Sequence, residues 1–211
     1  VHWLTLALML TFVPLMFSFP HRMKELRKSR RFMNGMAVFI LGMETVFLVS
    51  QQIFRSEPAF ERIPLHLCGS LVLILPVLIL ARRDRVLRFF AVWSLGAGLI
   101  SMLNPGFSHT GWGSFAFYHY LIRHFFLFLL PVFLIASGDT DLRYRSYMRS
   151  VAALGVWSFV IFLINGRFRT NYMYFGPAND MAVPFLPDAL MQWPLIYPTY
   201  VVTGVLFFHI L

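Results

Sequence analysis

The chain has 211 residues, of which 58% are hydrophobic and 13% are charged, with a positive mean hydropathy. A soluble domain usually carries about 25% charged residues, so this composition excludes an ordinary soluble protein and indicates an integral membrane protein. The net charge of +9 does not point to nucleic acid, because Lys and Arg collect in the cytoplasmic loops of membrane proteins. The single cysteine, Cys68, excludes an internal disulfide and a multi-cysteine metal site.

Seven apolar segments approach the length of about 20 residues that a membrane-spanning helix needs. They lie at about 1–19, 35–54, 62–81, 86–104, 115–137, 148–165 and 192–211. The first run has no charged region ahead of it and no small-residue cleavage site, so we expect a span rather than a signal peptide. The connections are mostly short, and the sequence shows no domain boundary. We therefore predict an all-α, polytopic membrane helical bundle of about seven transmembrane helices, as one domain over 1–211.

Basic residues are unevenly distributed among the connections between these segments. The first, third and fifth connections hold 13 of the 18 Lys and Arg residues. Because Lys and Arg are enriched in cytoplasmic loops, we predict that these connections are cytoplasmic, with the N-terminus outside and the C-terminus inside. The even connections then face outward. They include the uncharged, Gly-rich 104–113 and the long 166–191, whose aromatic residues and prolines favour an ordered cap.

Ionisable side chains inside membrane spans are costly and often mark functional sites. In the predicted topology, Cys68 lies ~9 Å below the outer end of its span, and His124 lies ~14 Å below Phe115, at 1.5 Å per helical residue. Glu44 lies near mid-depth on the second span, and His119 lies near the outer surface. The sequence therefore predicts that polar residues converge on the outer half of the bundle.

The local placement of these residues leaves alternatives open. Pro64 suits the first position of a helix. His66 and Cys68 would then lie about 200° apart around a regular helix, so they do not form a catalytic dyad by themselves. Glu44 either pairs with Arg123 as a clamp between helices or has a functional role.

Three motifs carry a family resemblance. They are "PLHLC" (64–68), "FAFYHYLIRHFFLFLLP" (115–131) and "TNYMYFGP" (170–177). Together they resemble the YwaF-like family of bacterial integral membrane proteins, which is related to the eukaryotic transmembrane protein 164 family. The resemblance extends from about the second predicted span to the seventh.

The resemblance implies an activity and assigns roles to residues. The eukaryotic relatives are described as cysteine-dependent acyltransferases that remodel phospholipids with a Cys and a His from separate spans. The cysteine corresponds to Cys68, and the histidine corresponds best to His124. His66 matches the histidine of the family's His-x-Cys motif, and Asn171 and Tyr172 match its Asn-Tyr-Met-Tyr motif.

Two functional hypotheses follow for a multi-pass protein of the cell membrane. In the first, the protein is a thiol-dependent acyltransferase acting on membrane lipid, with Cys68 as nucleophile and His124 as general base. In the alternative, it is a non-enzymatic protein that binds or transports a lipid or small molecule in the same polar pocket. The candidate substrate-binding residues are His66, Glu44, His119, Arg123, Asn171 and Tyr172. Neither hypothesis calls for a cofactor, a metal or nucleic acid, and enzymatic activity and oligomeric state stay open.

Overall fold

The structure, a computed structural model, describes residues 2–54, 63–103, 114–139, 144–177 and 187–210. Within these ranges the secondary structure is helical and contains no strand, which confirms the all-α prediction. Two 3-10 turns, Tyr172–Tyr174 and Asp188–Met191, follow the seventh helix. The helices are α1 (His2–Ser18), α2 (Pro20–Lys28), α3 (Arg30–Phe54), α4 (Leu67–Leu80), α5 (Asp84–Leu103), α6 (Phe115–Ala136), α7 (Tyr144–Phe168) and α8 (Ile196–Ile210).

Among the described residues, four helices are long and apolar enough to cross a membrane, namely α3, α5, α6 and α7. A fifth span results if α1 and α2, which meet at a bend of 94°, are taken together. The helices α4 and α8 are shorter, with 14 and 15 residues. The chain is thus a multi-pass membrane protein, while the number of seven spans and the orientation of the termini stay predictions.

The chain divides into two compact units. The first unit comprises Val1–Arg55 and Cys68–Tyr147, and the second comprises Ser56–Leu67 and Met148–Leu211. The organisation as a single domain stays a prediction, and the two units are described separately below.

The centre of the first unit is α6, which packs against α1, α2, α3 and α5. Its approach to α5 depends on Gly98, where a Cβ atom would lie 2.7 Å from the backbone nitrogen of Phe128. Small residues allow membrane helices to approach closely. Such close packing matters because the hydrophobic effect does not drive helix association in lipid. The neighbouring core consists of Leu6, Met9, Met102, Phe128 and Val132.

Local sequence signals fix both ends of α6. The Ser114 side chain accepts a hydrogen bond from the Phe117 N–H at 3.2 Å, which is a standard N-terminal cap. At the other end, Gly138 adopts a left-handed conformation with φ of 73°, and the Asp139 N–H donates to the Leu134 carbonyl. Glycine is favoured at such helix ends because it has no Cβ atom to clash.

The first connection, which the sequence analysis treats as a loop, contains the helix α2. Pro20 lies at its first turn, where the missing N–H is not needed. Arg27 anchors this helix by donating hydrogen bonds to Asp84 at 2.6 Å and to Asp139 at 2.7 Å. Burial alone would lower the pKa of Arg27, but these hydrogen bonds and the two negative charges outweigh burial and raise it. Arg88 also donates to Asp139, at 3.2 Å.

Candidate functional site

Cys68 lies in the first turn of α4 and is half-buried. Its Sγ atom lies 3.4 Å from the Ser101 hydroxyl oxygen, and the thiol donates to the Ala97 carbonyl over 3.8 Å. Ala97 and Ser101 are four residues apart on α5, so they lie on the same face of that helix. The only thiol of the protein therefore faces the small-residue surface of α5 and has a hydroxyl group as its neighbour.

The expected start of α4 at Pro64 is wrong, because the helix begins three residues later, at Leu67. His66 precedes the regular helix, so the angular argument that separates it from Cys68 does not apply. In the structure, His66 belongs to the second unit and Cys68 to the first.

Tyr120 and His124 lie one turn apart on α6 and share a backbone hydrogen bond. The Nδ1 atom of His124 lies 2.8 Å from the Tyr120 carbonyl oxygen, and the two rings are 4.1 Å apart. A carbonyl oxygen can only accept, so Nδ1 carries a hydrogen, and in the neutral ring the lone pair is on Nε2. His124 is 5% exposed, and this arrangement presents it as a neutral base.

The Tyr120 hydroxyl connects this histidine to α5, since it donates to the Ser101 carbonyl at 2.5 Å. Cys68, Ser101, Tyr120 and His124 thus form a continuous set of contacts across α4, α5 and α6, which we call the thiol–imidazole path. Within the described part of the chain, Cys68 and His124 make no hydrogen bond with each other. The path, rather than a direct contact, joins the two predicted catalytic residues.

Three predicted binding residues meet in what we call the ionic cluster: Glu44 from α3, and His119 and Arg123 from α6. The Oε2 atom of Glu44 lies 2.7 Å from His119 Nε2, and its Oε1 atom lies 3.7 Å from Arg123 Nη1. The side chains of Glu44 and His119 are 1% and 2% exposed. His119 also stacks on Phe47, with ring centroids 3.7 Å apart. The predicted clamp therefore exists, with His119 as the closer partner of Glu44.

The ionic cluster is not fully hydrogen-bonded. Glu44 Oε1 and Arg123 Nε are buried and have no hydrogen-bond partner among the described residues. Buried polar atoms are normally paired, so these two atoms mark a position where an additional polar group would be stabilised. The cluster also adjoins the thiol–imidazole path, because Arg123 and His124 are consecutive residues of α6.

In the second unit, the remaining predicted residues order the loop after α7. The Nδ1 atom of His66 accepts a hydrogen bond from the Met173 N–H at 3.2 Å, and its ring lies 5.5 Å from that of Tyr172. The Asn171 side chain accepts from the Gly176 N–H at 3.0 Å. Tyr172 is buried against Ile161 and Phe175. The described contacts of His66, Asn171 and Tyr172 thus stabilise the loop itself.

The residue that holds this loop, Asn165, is absent from the predicted site. It is fully buried, and its Oδ1 accepts from the Tyr172 N–H at 2.9 Å and from the Thr170 hydroxyl at 2.8 Å. Its Nδ2 donates to the Tyr172 carbonyl at 2.7 Å. Met173 and Tyr174 adopt left-handed conformations, with φ of 54° and 60°, each of which costs roughly 1–2 kcal/mol. The amide cluster, defined as Asn165, Thr170 and Tyr172, helps to offset that cost.

The segment 104–113, which is predicted to face outward, lies outside the described residues. Within the described ranges, no group of three or more His, Cys, Asp and Glu side chains is arranged to hold a metal ion.

Apolar helices that carry buried polar clusters define the class of protein as a multi-pass membrane protein. The model of the TMEM164 family matches residues 1–211, and the chain belongs to that family. This match confirms the predicted relation to the transmembrane protein 164 family, and the bacterial YwaF-like assignment stays a prediction. No curated protein and no solved structure matches the chain.

Proposed function

We propose that the protein is a thiol-dependent acyltransferase of the cell membrane and that its substrates are membrane lipids. The observation that carries this proposal is the thiol–imidazole path, which links the Cys68 thiol through α5 to the helix of His124. Nδ1 of His124 is bonded to the Tyr120 carbonyl, so Nε2 is the nitrogen that can take a proton. Family membership supports the same proposal, since cysteine-dependent acyl transfer is the activity that the resemblance implies. Cys68 is the proposed nucleophile and His124 the proposed general base.

The first half of the reaction forms an acyl-enzyme. The Cys68 sulfur attacks the carbonyl carbon of a lipid ester, and its proton passes to His124. The tetrahedral intermediate collapses with cleavage of the ester C–O bond, and the lipid alkoxide leaves with that proton. The Ser101 hydroxyl, 3.4 Å from the sulfur, is placed to accept the thiol hydrogen, and one bridging water or the lipid hydroxyl then carries the proton to Nε2 of His124. Such relays are needed because proton transfer requires hydrogen-bond reach or one bridging group.

The second half regenerates the thiol. The hydroxyl of a second lipid gives its proton to His124 and attacks the thioester carbonyl, and the C–S bond then breaks. The sulfur recovers a proton from His124, so atoms and charge balance over the cycle. Because both substrates are lipids, a site among membrane helices admits them without exposing the thioester to bulk water.

The test uses purified protein in liposomes that contain a phospholipid with a labelled acyl chain and a lysophospholipid acceptor. Intact-mass measurement is expected to find an acyl adduct on Cys68 that neutral hydroxylamine removes. The Cys68→Ala variant is expected to lose both the adduct and the transfer. His124→Asn keeps an amide donor for the Tyr120 carbonyl but lacks the base, so we expect transfer to fall by roughly 10²–10⁴-fold.

The control is His21→Asn, which changes an exposed histidine of α2 and is expected to leave transfer unchanged. Full transfer by Cys68→Ala, with no hydroxylamine-sensitive adduct on the wild-type protein, would contradict the proposal. Circular dichroism of each variant separates a loss of activity from a loss of fold.

A second function, binding of a polar or lipid ligand without catalysis, has one observation in its favour. Glu44 Oε1 and Arg123 Nε are buried without hydrogen-bond partners among the described residues, and a ligand with donor and acceptor groups would satisfy both. This function predicts that Cys68→Ala retains lipid binding, whereas Arg123→Gln loses it. Binding by Cys68→Ala is expected under both functions, so the transfer assay separates them: the enzyme loses transfer in Cys68→Ala, whereas a binding protein shows no transfer even as the wild type.

A further inference from the structure

An open cavity lies at the bend between α1 and α2 in the first unit, and we call it the elbow cavity. Its volume is about 330 Å³, and its walls are apolar, with Leu15 and Met16 from α1, Phe32 from α3 and Phe133 from α6. Arg22 of α2 lines its edge with the apolar part of its side chain. This volume lies at the lower end of the roughly 300–1,000 Å³ typical of small-ligand sites. The cavity therefore suits one flexible apolar chain.

The edge of the elbow cavity is strongly basic. The side chain of Arg22 is 72% exposed, and further exposed basic residues lie on α2 and at the start of α3. Those residues are Lys24, Lys28, Arg30 and Arg31. Glu25 is the acidic residue in 20–31, and it lies 3.5 Å from Arg22 and 3.7 Å from His21. The positive charge at the edge therefore greatly exceeds this one carboxylate.

The geometry of α2 suits the membrane surface. It runs at 94° to α1, so it lies nearly parallel to the membrane plane where α1 crosses it. Met23 and Leu26 line the cavity, while the polar side chains of α2 other than Arg27 are exposed. Arg27 is tied to Asp84 and Asp139, which fixes the helix in place without a ligand. A basic amphipathic helix of this kind is attracted to anionic lipid.

We propose that the elbow cavity binds one anionic phospholipid, with an acyl chain between α1, α3 and α6 and the phosphate on Arg22. The apolar walls account for the chain, and the excess of basic residues accounts for the headgroup. No residue of the thiol–imidazole path takes part, so the site is separate from the proposed acyl transfer. The predicted cytoplasmic position of this connection places it in the leaflet that is richer in anionic lipids.

The test is native mass spectrometry of the full purified chain, titrated with phosphatidylglycerol and phosphatidylcholine that have identical acyl chains. The wild-type protein is expected to bind phosphatidylglycerol more tightly. Arg22→Gln is expected to weaken phosphatidylglycerol binding about fivefold, the effect of one basic residue at an anionic surface, and to leave phosphatidylcholine binding unchanged. Lys24→Gln, at an exposed position of the same helix, is the matched control and is expected to have a smaller effect. Equal losses in both variants, or equal binding of both lipids by the wild type, would overturn the proposal.

A second pair of variants tests the acyl-chain site. Leu15→Trp fills the cavity and is expected to weaken binding of both lipids, because the chain loses its place whatever the headgroup. Leu8→Trp, on the same helix with 51% exposure against 49% for Leu15, is the control and is expected to bind as the wild type does. If the two tryptophan variants bind lipid equally, the acyl chain does not occupy the elbow cavity.

Discussion

The ionic cluster of the first unit and the amide cluster of the second bury polar groups in different ways. Glu44, His119 and Arg123 bring charges into the centre of a membrane helix bundle, and two of their buried atoms lack hydrogen-bond partners in the described structure. In the amide cluster, both ends of the Asn165 amide make hydrogen bonds, three in all.

This difference distinguishes a candidate binding site from a structural hydrogen-bond network. A fully bonded buried network makes one conformation rigid, whereas an incompletely bonded one keeps polar groups ready for another partner. The amide cluster fits the first description, since it holds a loop with two left-handed residues. The ionic cluster fits the second, and its Arg123 directly precedes His124 on α6.

The largest effect is expected from breaking the ionic cluster. Glu44→Ala leaves Arg123 and His119 buried without their carboxylate, which should lower the free energy of unfolding by roughly 3–5 kcal/mol. Glu44→Gln should cost less, because the amide still bonds His119. Denaturant titrations in detergent micelles, followed by circular dichroism, measure both values. Glu25→Ala, at an exposed carboxylate, serves as control, and an equally small effect of Glu44→Ala would show that the cluster contributes no stability.

A smaller loss is expected from the amide cluster. Asn165→Ala removes three hydrogen bonds, two of them to the backbone of Tyr172, so the free energy of unfolding should fall by about 2–3 kcal/mol. Limited proteolysis should then cut the loop after α7 faster than in the wild type. The exposed Asn34→Ala is the comparison variant. Unchanged protection of 170–177 in Asn165→Ala would mean that the loop is held by other contacts.

The smallest effect is expected at the anchor of α2. Arg27→Lys loses the forked contact with Asp84 and Asp139, and we expect a loss of about 1 kcal/mol because these carboxylates are partly exposed. The pKa of Arg27 is raised in the folded state. Its contribution is therefore complete below the unfolded-state pKa and is lost only as pH rises through the higher folded-state pKa. The difference between variant and wild type should stay constant from neutral to mildly alkaline pH, and a difference that shrinks over this range would contradict the assignment.

Much of the helical architecture follows from local sequence. Apolar runs give the helices, and Ser114 and Gly138 give the ends of α6, because caps depend on neighbouring residues alone. The partnership of Glu44 with α6 was also predictable, since charged groups in membrane spans require partners. That His119 is the nearer partner of Glu44 was not predictable, because the rotation of α3 relative to α6 depends on packing.

The less predictable features depend on contacts between distant segments. Asn165 at the end of an apolar run has the pattern of an ordinary span end, and its bonds to Tyr172 exist only when the loop folds back. No sequence motif marks Ser101 as a neighbour of Cys68, because its position beside the thiol results from the packing of α4 against α5. The helix α2 is hard to predict because its basic sequence is typical of a cytoplasmic loop. Its position depends on the pairing of Arg27 with Asp84 and Asp139, which are distant in sequence.

The backbone hydrogen bond of His124 has a consequence for the route of a proton. The Tyr120 carbonyl accepts the Nδ1 hydrogen but has no proton to donate in return. Protons therefore do not pass through the ring from one nitrogen to the other. A proton that arrives at Nε2 must leave from Nε2. A single nitrogen of the imidazole, Nε2, therefore both takes up and releases the proton.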